Sequence, residues 1–176
     1  MAGVIESKSK LTKKTLKNAL IKLAKIKELK EDIVDAPYVF KDFKSKDSFN
    51  VKMHPRDQMA TFLICESIEG NIENEWDKLC REIYSGIDKS NYHNMILCLE
   101  KHCFLYNDGE RPIYYAYFEY FKENFRNIYI SPSEMGYSRE HILLFLNYFF
   151  MVISSVSIMY LEITKYLGVS RLRKET

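Results

Sequence analysis

Histidine and cysteine residues cluster between His93 and Cys103, and these residue types can bind a metal ion or act as a thiolate and a base. Cys98 and His102 are four residues apart, so they would share one face of a helix. The spacing is not that of a known zinc site, and the sequence contains no CxxC or HxxxH motif that would supply further ligands. Free cysteines are often buried for packing alone, so we predict no metal ion at this cluster.

The remaining patterns that could support catalysis are accounted for more simply by helix structure. Acidic residues are abundant between Glu66 and Glu82, and Glu69 and Glu73 are spaced as an acid–base pair could be. A helix start and a solvated helix face account for the same residues. The sequence also contains no glycine-rich loop that could hold a phosphate. We therefore predict a protein that is not an enzyme, with no catalytic residues and no cofactor.

Positive charge is concentrated at the N-terminus. The first thirty residues contain nine lysines and two glutamates, whereas the whole chain has a net charge of only +2. Lysines along one helix face can neutralise a row of phosphates by counterion release, with little sequence preference because an ammonium group is a point charge. A second basic cluster lies near the end of the sequence. The predicted nucleic-acid-binding residues are Lys13, Lys14, Lys17, Lys22, Lys25, Arg171, Arg173 and Lys174.

The same lysines are compatible with two further roles. Lysines on the outer face of an amphipathic helix can serve only to keep a protein in solution. They can also attract a protein to anionic lipid, although the apolar face of this segment is modest and contains no tryptophan, which disfavours stable insertion. A membrane partner is therefore expected less than a nucleic acid.

The composition favours a reducing compartment and a cytoplasmic location. The four cysteines have no spacing typical of secreted proteins, and no Asn-x-Ser/Thr glycosylation site occurs. The N-terminus lacks the apolar core of a secretory signal, and Glu6 and the absence of arginine weaken its similarity to a transit peptide. A bias towards Lys, Ile, Asn and Tyr is typical of AT-rich genomes and favours a viral source.

The balance of residue types predicts an all-α fold. Only six glycines and four prolines occur in 176 residues, which is few for a sandwich or barrel with many turns. We expect a compact bundle of about six helices around a long, very apolar C-terminal helix. Residues 1–176 would form one helical domain, or a basic N-terminal subdomain at residues 1–53 followed by a helical core at residues 54–170.

Apolar residues recur at helical spacing in six segments, which we predict as helices. The first begins near Thr12 and carries most of its lysines opposite its apolar side. Residues 35–53 are predicted as a loop with one short extended piece. The remaining five helices are predicted at residues 55–70, 71–86, 90–105, 112–125 and 138–167.

The stretch from His141 to Leu161 contains no Asp, Glu, Lys or Arg, and it has the length that a helix needs to cross a bilayer. Asn147 and Ser154 belong to a weak polar stripe, which is unfavourable against lipid. The apolar faces of the other helices also need a partner to bury them. We therefore favour a buried core helix, with a C-terminally membrane-anchored protein as the alternative.

The sequence thus predicts a non-enzymatic helical protein that binds RNA or another polyanion without sequence preference. As an oligomer of identical chains in a viral setting, it could sequester RNA from host defence. The rival prediction is a helical protein-interaction or assembly module with a host protein as partner and no nucleic-acid binding. In that case apolar surface beside Trp76 or Tyr117 would form the groove.

Overall fold

Two segments beside the first amphipathic helix have the residue types of strands. GVIESKSKL alternates partly buried positions with the exposed Ile5, Ser7 and Ser9, and ATFLICESI is a nearly continuous apolar run with β-branched residues. In the computed structural model both are strands of one sheet.

The structure describes residues 3–29, 38–39, 57–70, 72–107, 112–113, 126–130, 139–155 and 158–159. The elements are β1 (Gly3–Leu11), α1 (Lys13–Glu28), β2 (Tyr38–Val39), β3 (Ala60–Ile68), α2 (Trp76–Ile83), β4 (Met95–Cys98), β5 (Cys103–Asn107), β6 (Pro112–Ile113), β7 (Arg126–Ile130), α3 (Glu140–Ser155) and β8 (Ile158–Met159).

The main sheet is mixed, with β1, β3 and β4 parallel and the strands beyond them antiparallel. The strand order is β1-β3-β4-β5-β6, and β7 also pairs with β5. The chain passes through α1 between β1 and β3, and through α2 between β3 and β4, since parallel neighbours need a crossover connection. The short strands β2 and β8 pair with each other.

Helices cover both faces of this sheet. On one face, α1 and α2 bury a cluster in which the rings of Trp76 and Phe104 stack with their centroids 3.8 Å apart. On the other face, α3 packs on β3, and Phe149 lies over Phe62 at 4.8 Å between ring centroids. Burial on both faces explains why β3 is nearly continuously apolar.

The predicted all-α bundle is wrong. Of the five later helices, those at residues 55–70 and 90–105 are replaced by β3 and by the β4–β5 pair. A short apolar run in a strand buried on both faces cannot be distinguished from a buried helix by periodicity alone, and that ambiguity caused the error. The described parts contain three α-helices, not about six.

The remaining helix predictions had mixed outcomes. α1 and α2 are confirmed, although α2 is shorter than the predicted helix at residues 71–86. The helix predicted at 112–125 is contradicted at its start, where Pro112–Ile113 is a strand, and its residues 114–125 lie outside the described residues. The last helix, predicted at residues 138–167, ends at Ser155. Of its remaining predicted length, the structure describes only residues 158–159, which form the strand β8.

Helix α3 spans 16 residues. In the part of the chain that the structure describes, no helix has both the length and the apolarity to cross a membrane.

Candidate nucleic-acid interface

Helix α1 begins with a well-formed N-terminal cap. Thr12 has an extended backbone, and its hydroxyl oxygen accepts a hydrogen bond from the Thr15 backbone N–H at 3.1 Å. In return, the Thr12 backbone N–H donates to the Thr15 hydroxyl oxygen at 2.8 Å. This reciprocal cap satisfies two N–H groups that the start of a helix leaves without partners. It fixes where α1 starts and therefore which residues face outward.

The inner face of α1 is buried against the sheet and α2. Its buried side chains follow helical spacing, and all of them are apolar except one lysine. Lys27 is 1% exposed, and its ammonium group donates to the Tyr92 carbonyl oxygen at 2.6 Å. Because Lys27 is in the last turn, the negative end of the helix dipole also stabilises its charge. The buried residues of this face are Leu16, Ala19, Leu20, Leu23, Ala24 and Lys27.

Two of the predicted binding lysines are held in ion pairs with carboxylates. Lys22 lies 2.6 Å from Glu6 on β1, and Glu6 also pairs with Lys8 at 2.8 Å. Lys13 lies 2.8 Å from Glu75. The hydrogen bond from Lys22, and then that from Lys8, lowers the pKa of the Glu6 carboxyl. These carboxylates would compete with phosphate for the same ammonium groups.

The remaining three predicted lysines of α1 are different. Lys14, Lys17 and Lys25 are exposed, and no described carboxylate forms an ion pair with any of them. Lys14 and Lys25 are eleven residues apart, so at a rise of about 1.5 Å per residue the row extends roughly 16 Å along the helix. We call this row, whose lysines form no ion pair with a described carboxylate, the open lysine row.

The structure adds lysines of β1 to this basic surface. In the described sheet β1 is an edge strand that pairs with β3, and Lys10 is exposed just before the start of α1. Lys8 belongs to the Glu6 ion pairs described above. Sequence reasoning missed both residues as members of the site, because Val4 and Ile5 are adjacent and residues 6–10 are all polar, so the segment lacks the apolar and polar alternation typical of a strand. Lysines on an edge strand also prevent edge-to-edge pairing with other chains.

The predicted C-terminal contributors Arg171, Arg173 and Lys174 lie outside the described residues. The rival prediction places a groove beside Trp76 or Tyr117. Trp76 is buried, with 2% of its surface exposed, so it offers no surface to a partner. Tyr117 lies outside the described residues as well.

The histidine and cysteine cluster does not share a helix face. Cys98 ends β4, and the backbone N–H of Cys98 donates to the His102 carbonyl oxygen at 2.8 Å across the turn to β5. The His102 ring nitrogen Nε2 lies 3.3 Å from the Glu73 carboxylate. Cys103 belongs to the core on the opposite sheet face. Among the described residues, no three His, Cys, Asp or Glu side chains come together as a metal site would require.

His93 lies apart from these residues, in a buried group of aromatic side chains. Its Nδ1 atom is 2.6 Å from the Tyr84 hydroxyl oxygen and 3.1 Å from that of Tyr106. Burial, followed by the nearby charge of Lys27, lowers the pKa of His93 to about 3. His93 is therefore a neutral core histidine at neutral pH.

A scan against models of known protein families finds no match, and a search among curated proteins finds no similar sequence. The function is therefore argued from the geometry of α1 and its neighbours.

Proposed function

We propose that this protein binds RNA along the phosphate backbone, without sequence preference, through the outer face of α1. The observation that carries the proposal is the open lysine row, Lys14, Lys17 and Lys25, which is exposed and not paired with described carboxylates. Lys13 and Lys22 contribute less, because Glu75 and Glu6 already hold their ammonium groups.

The chemistry of the row suits the phosphate backbone and not the bases. Lysine offers a compact charge, whereas reading a base edge requires a planar fork such as that of arginine. The described part of α1 contains no arginine and no aromatic residue on which a base could stack. RNA of any sequence should therefore bind alike, and DNA of the same length and strandedness should compete.

The number of open lysines sets the expected salt dependence. For single strands, each neutralised phosphate contributes about 0.7 to the slope of log Kobs against log salt concentration. Three contacts then predict a slope of about −2. The modest slope indicates weak binding by one chain, detectable mainly at low salt.

Electrophoretic shift and fluorescence anisotropy with random-sequence RNA across a salt series would test the proposal. The wild-type protein should give a slope near −2, and the variant Lys14→Gln/Lys17→Gln/Lys25→Gln should bind much more weakly and give a shallower slope. Lys13→Gln/Lys22→Gln should lose less affinity than the open-row variant. No binding by the wild-type protein at low salt would overturn the proposal.

A matched control removes an equal charge elsewhere. Lys78 is exposed on α2 and is not part of the α1 surface. Lys78→Gln should leave the affinity close to that of the wild type, whereas Lys17→Gln should reduce it. Equal losses in the two variants would mean that net charge, and not the open lysine row, governs binding.

Recovery of one stoichiometric protein partner after nuclease treatment, with no RNA binding, would instead favour an interaction module.

A further inference from the structure

The sheet register brings two cysteines of neighbouring strands directly together. Cys65 on β3 pairs in register with Cys98 on the parallel strand β4, and both side chains belong to the core on the α1–α2 side. Neighbouring strands lie about 4.8 Å apart, within the Cα separation of about 4.4–6.8 Å that a disulfide requires. Both residues are free thiols in the structure. The pair was not recognised in the sequence because the cysteines are 33 residues apart and were assigned to helices.

The two sulfur atoms interact with each other. Hydrogen bonding between the two thiols raises the pKa of Cys65 and lowers that of Cys98. The Cys98 thiol also lies 3.5 Å from the Glu66 carbonyl oxygen, to which it donates when it is protonated.

The turn that follows β4 lies beside Cys98. The backbone N–H groups of Lys101 and His102 donate to the Cys98 carbonyl oxygen at 3.3 and 3.2 Å, and that of Glu100 donates to the Glu66 carbonyl oxygen at 3.2 Å. As dipoles beside Cys98, these groups favour its thiolate against the cost of burial.

The other two cysteines have no such surroundings. Cys80 lies on α2 and Cys103 on β5, and both are buried. Burial raises the pKa of the Cys80 thiol well above its usual range and that of Cys103 to about 12. A buried thiol without a partner that stabilises its thiolate is chemically inert. The chain therefore contains two reference thiols for any reaction at Cys65 and Cys98.

We propose that Cys65 and Cys98 form an oxidation site at which hydrogen peroxide closes a reversible disulfide between β3 and β4. The Cys98 thiolate attacks one peroxide oxygen, the O–O bond breaks, and hydroxide leaves and takes up a proton to become water. The resulting sulfenic acid is then attacked by the Cys65 sulfur, which loses its proton as a second water leaves. Two thiols are oxidised by two electrons in total, and one peroxide molecule is reduced to two waters.

The β4–β5 turn is the exposed segment next to the pair. Cys98 is 0% exposed, but the next three residues, Leu99 to Lys101, are all exposed. Local opening of this turn would break the backbone hydrogen bonds from Leu99 to Cys65 and from Glu100 to Glu66, and would admit a molecule as small as peroxide without unfolding the rest of the sheet. A parallel pair at about 4.8 Å lies near the short end of the disulfide range, so the bond should be readily reduced again and act as a switch more than as a permanent crosslink.

Peptide mapping of the native protein after peroxide treatment would test the proposal. Remaining thiols are blocked with iodoacetamide under denaturing conditions, and the peptides are analysed by mass spectrometry. We expect a Cys65–Cys98 linked peptide that dithiothreitol separates, with Cys80 and Cys103 still alkylated. Four alkylated cysteines, or oxidation of Cys80 and Cys103 to the same extent, would overturn the proposal.

Two single variants separate the roles of the thiols. In Cys65→Ser, the hydroxyl replaces the thiol as a hydrogen-bond donor beside Cys98. Dimedone should then trap a sulfenic acid on Cys98, since no neighbouring thiol can resolve it. In Cys98→Ala, Cys65 should form little adduct. Equal trapping in both variants would overturn the assignment of Cys98 as the attacking thiol. Cys80→Ser is the matched control and should form the linked peptide as the wild type does. If the Cys65 or the Cys98 variant is unfolded by circular dichroism, the wild-type peptide map decides.

Discussion

The two faces of α1 carry the same residue type in opposite surroundings. On the inner face, Lys27 is buried, and its ammonium group is held by the Tyr92 carbonyl oxygen at 2.6 Å. Two residues earlier, Lys25 is exposed on the outer face without an ion pair to any described carboxylate. The inner lysine is part of the core, and the outer lysine is available to solvent and to ligands. A count of lysines therefore overstates the basic surface.

Lysines within the outer face also differ in whether they form ion pairs. Lys22 is exposed on the same face as Lys25, yet Glu6 of β1 lies 2.6 Å from its ammonium group. Neighbours from other strands and helices decide which lysines are open. We therefore expect residues of the inner face to determine stability and residues of the outer face to determine binding. Substitutions on each face can test this separation of roles.

The largest expected effect comes from the inner face. Leu20 is completely buried in the cluster between α1, α2 and the sheet. Replacing Leu20 with Ala should reduce the free energy of unfolding by about 2–5 kcal/mol, because the lost side chain leaves a cavity. Urea denaturation followed by circular dichroism would measure the loss. The fraction that stays folded should bind RNA with wild-type affinity, and a loss of affinity in that fraction would contradict the division between the faces.

The next effect is a dependence of stability on pH that originates at His93, close to Lys27. The folded pKa of His93 is about 3, below the unfolded value of about 6.5. Between these pH values only the unfolded chain takes up the proton. The contribution of His93 to stability is therefore present above about pH 6.5 and falls, by up to about 1.4 kcal/mol per pH unit, as the pH decreases towards 3.

His93→Gln should flatten this dependence. Unfolding by urea at several pH values between about 3 and 7, for both proteins, gives two curves of free energy against pH. Titration of the carboxylates affects both curves, so their difference isolates His93. Two parallel curves would contradict the neutral, buried state of this histidine.

How much could be predicted differs between the helices and the sheet. The pattern of α1 identified its start at Thr12 and its buried leucines, because an amphipathic helix shows its burial in its own periodicity. The same reasoning failed for β3, where Phe62 and Leu63 are consecutive and both completely buried, on opposite sheet faces. A strand covered on both sides has no polar face, so its sequence carries no period that distinguishes it from a helix.

The candidate site was predictable only in part, for a related reason. The five α1 lysines were identified from the sequence, and the structure places all five on the exposed face. Their ion pairs could not be predicted, because Glu6 precedes Lys22 by 16 residues and Glu75 follows Lys13 by 62. Contacts over such separations depend on the sheet, which was missed. The sequence alone therefore could not show which lysines lack an ion pair.

The smallest expected effect is a gain of binding at the boundary between paired and open lysines. Glu6→Gln removes the carboxylate that holds both Lys22 and Lys8, so up to two further ammonium groups become available to phosphate. The salt slope should steepen by about 0.7 for each added contact. Wild-type protein should approach the same state as the pH falls through the lowered pKa of Glu6, because protonation removes the competing charge.

Glu100→Gln, which removes an equal charge from the β4–β5 turn, should leave the slope unchanged. An identical gain from Glu100→Gln would show that RNA affinity depends on net charge. The difference between paired and open lysines on the outer face of α1 would then have no consequence for binding.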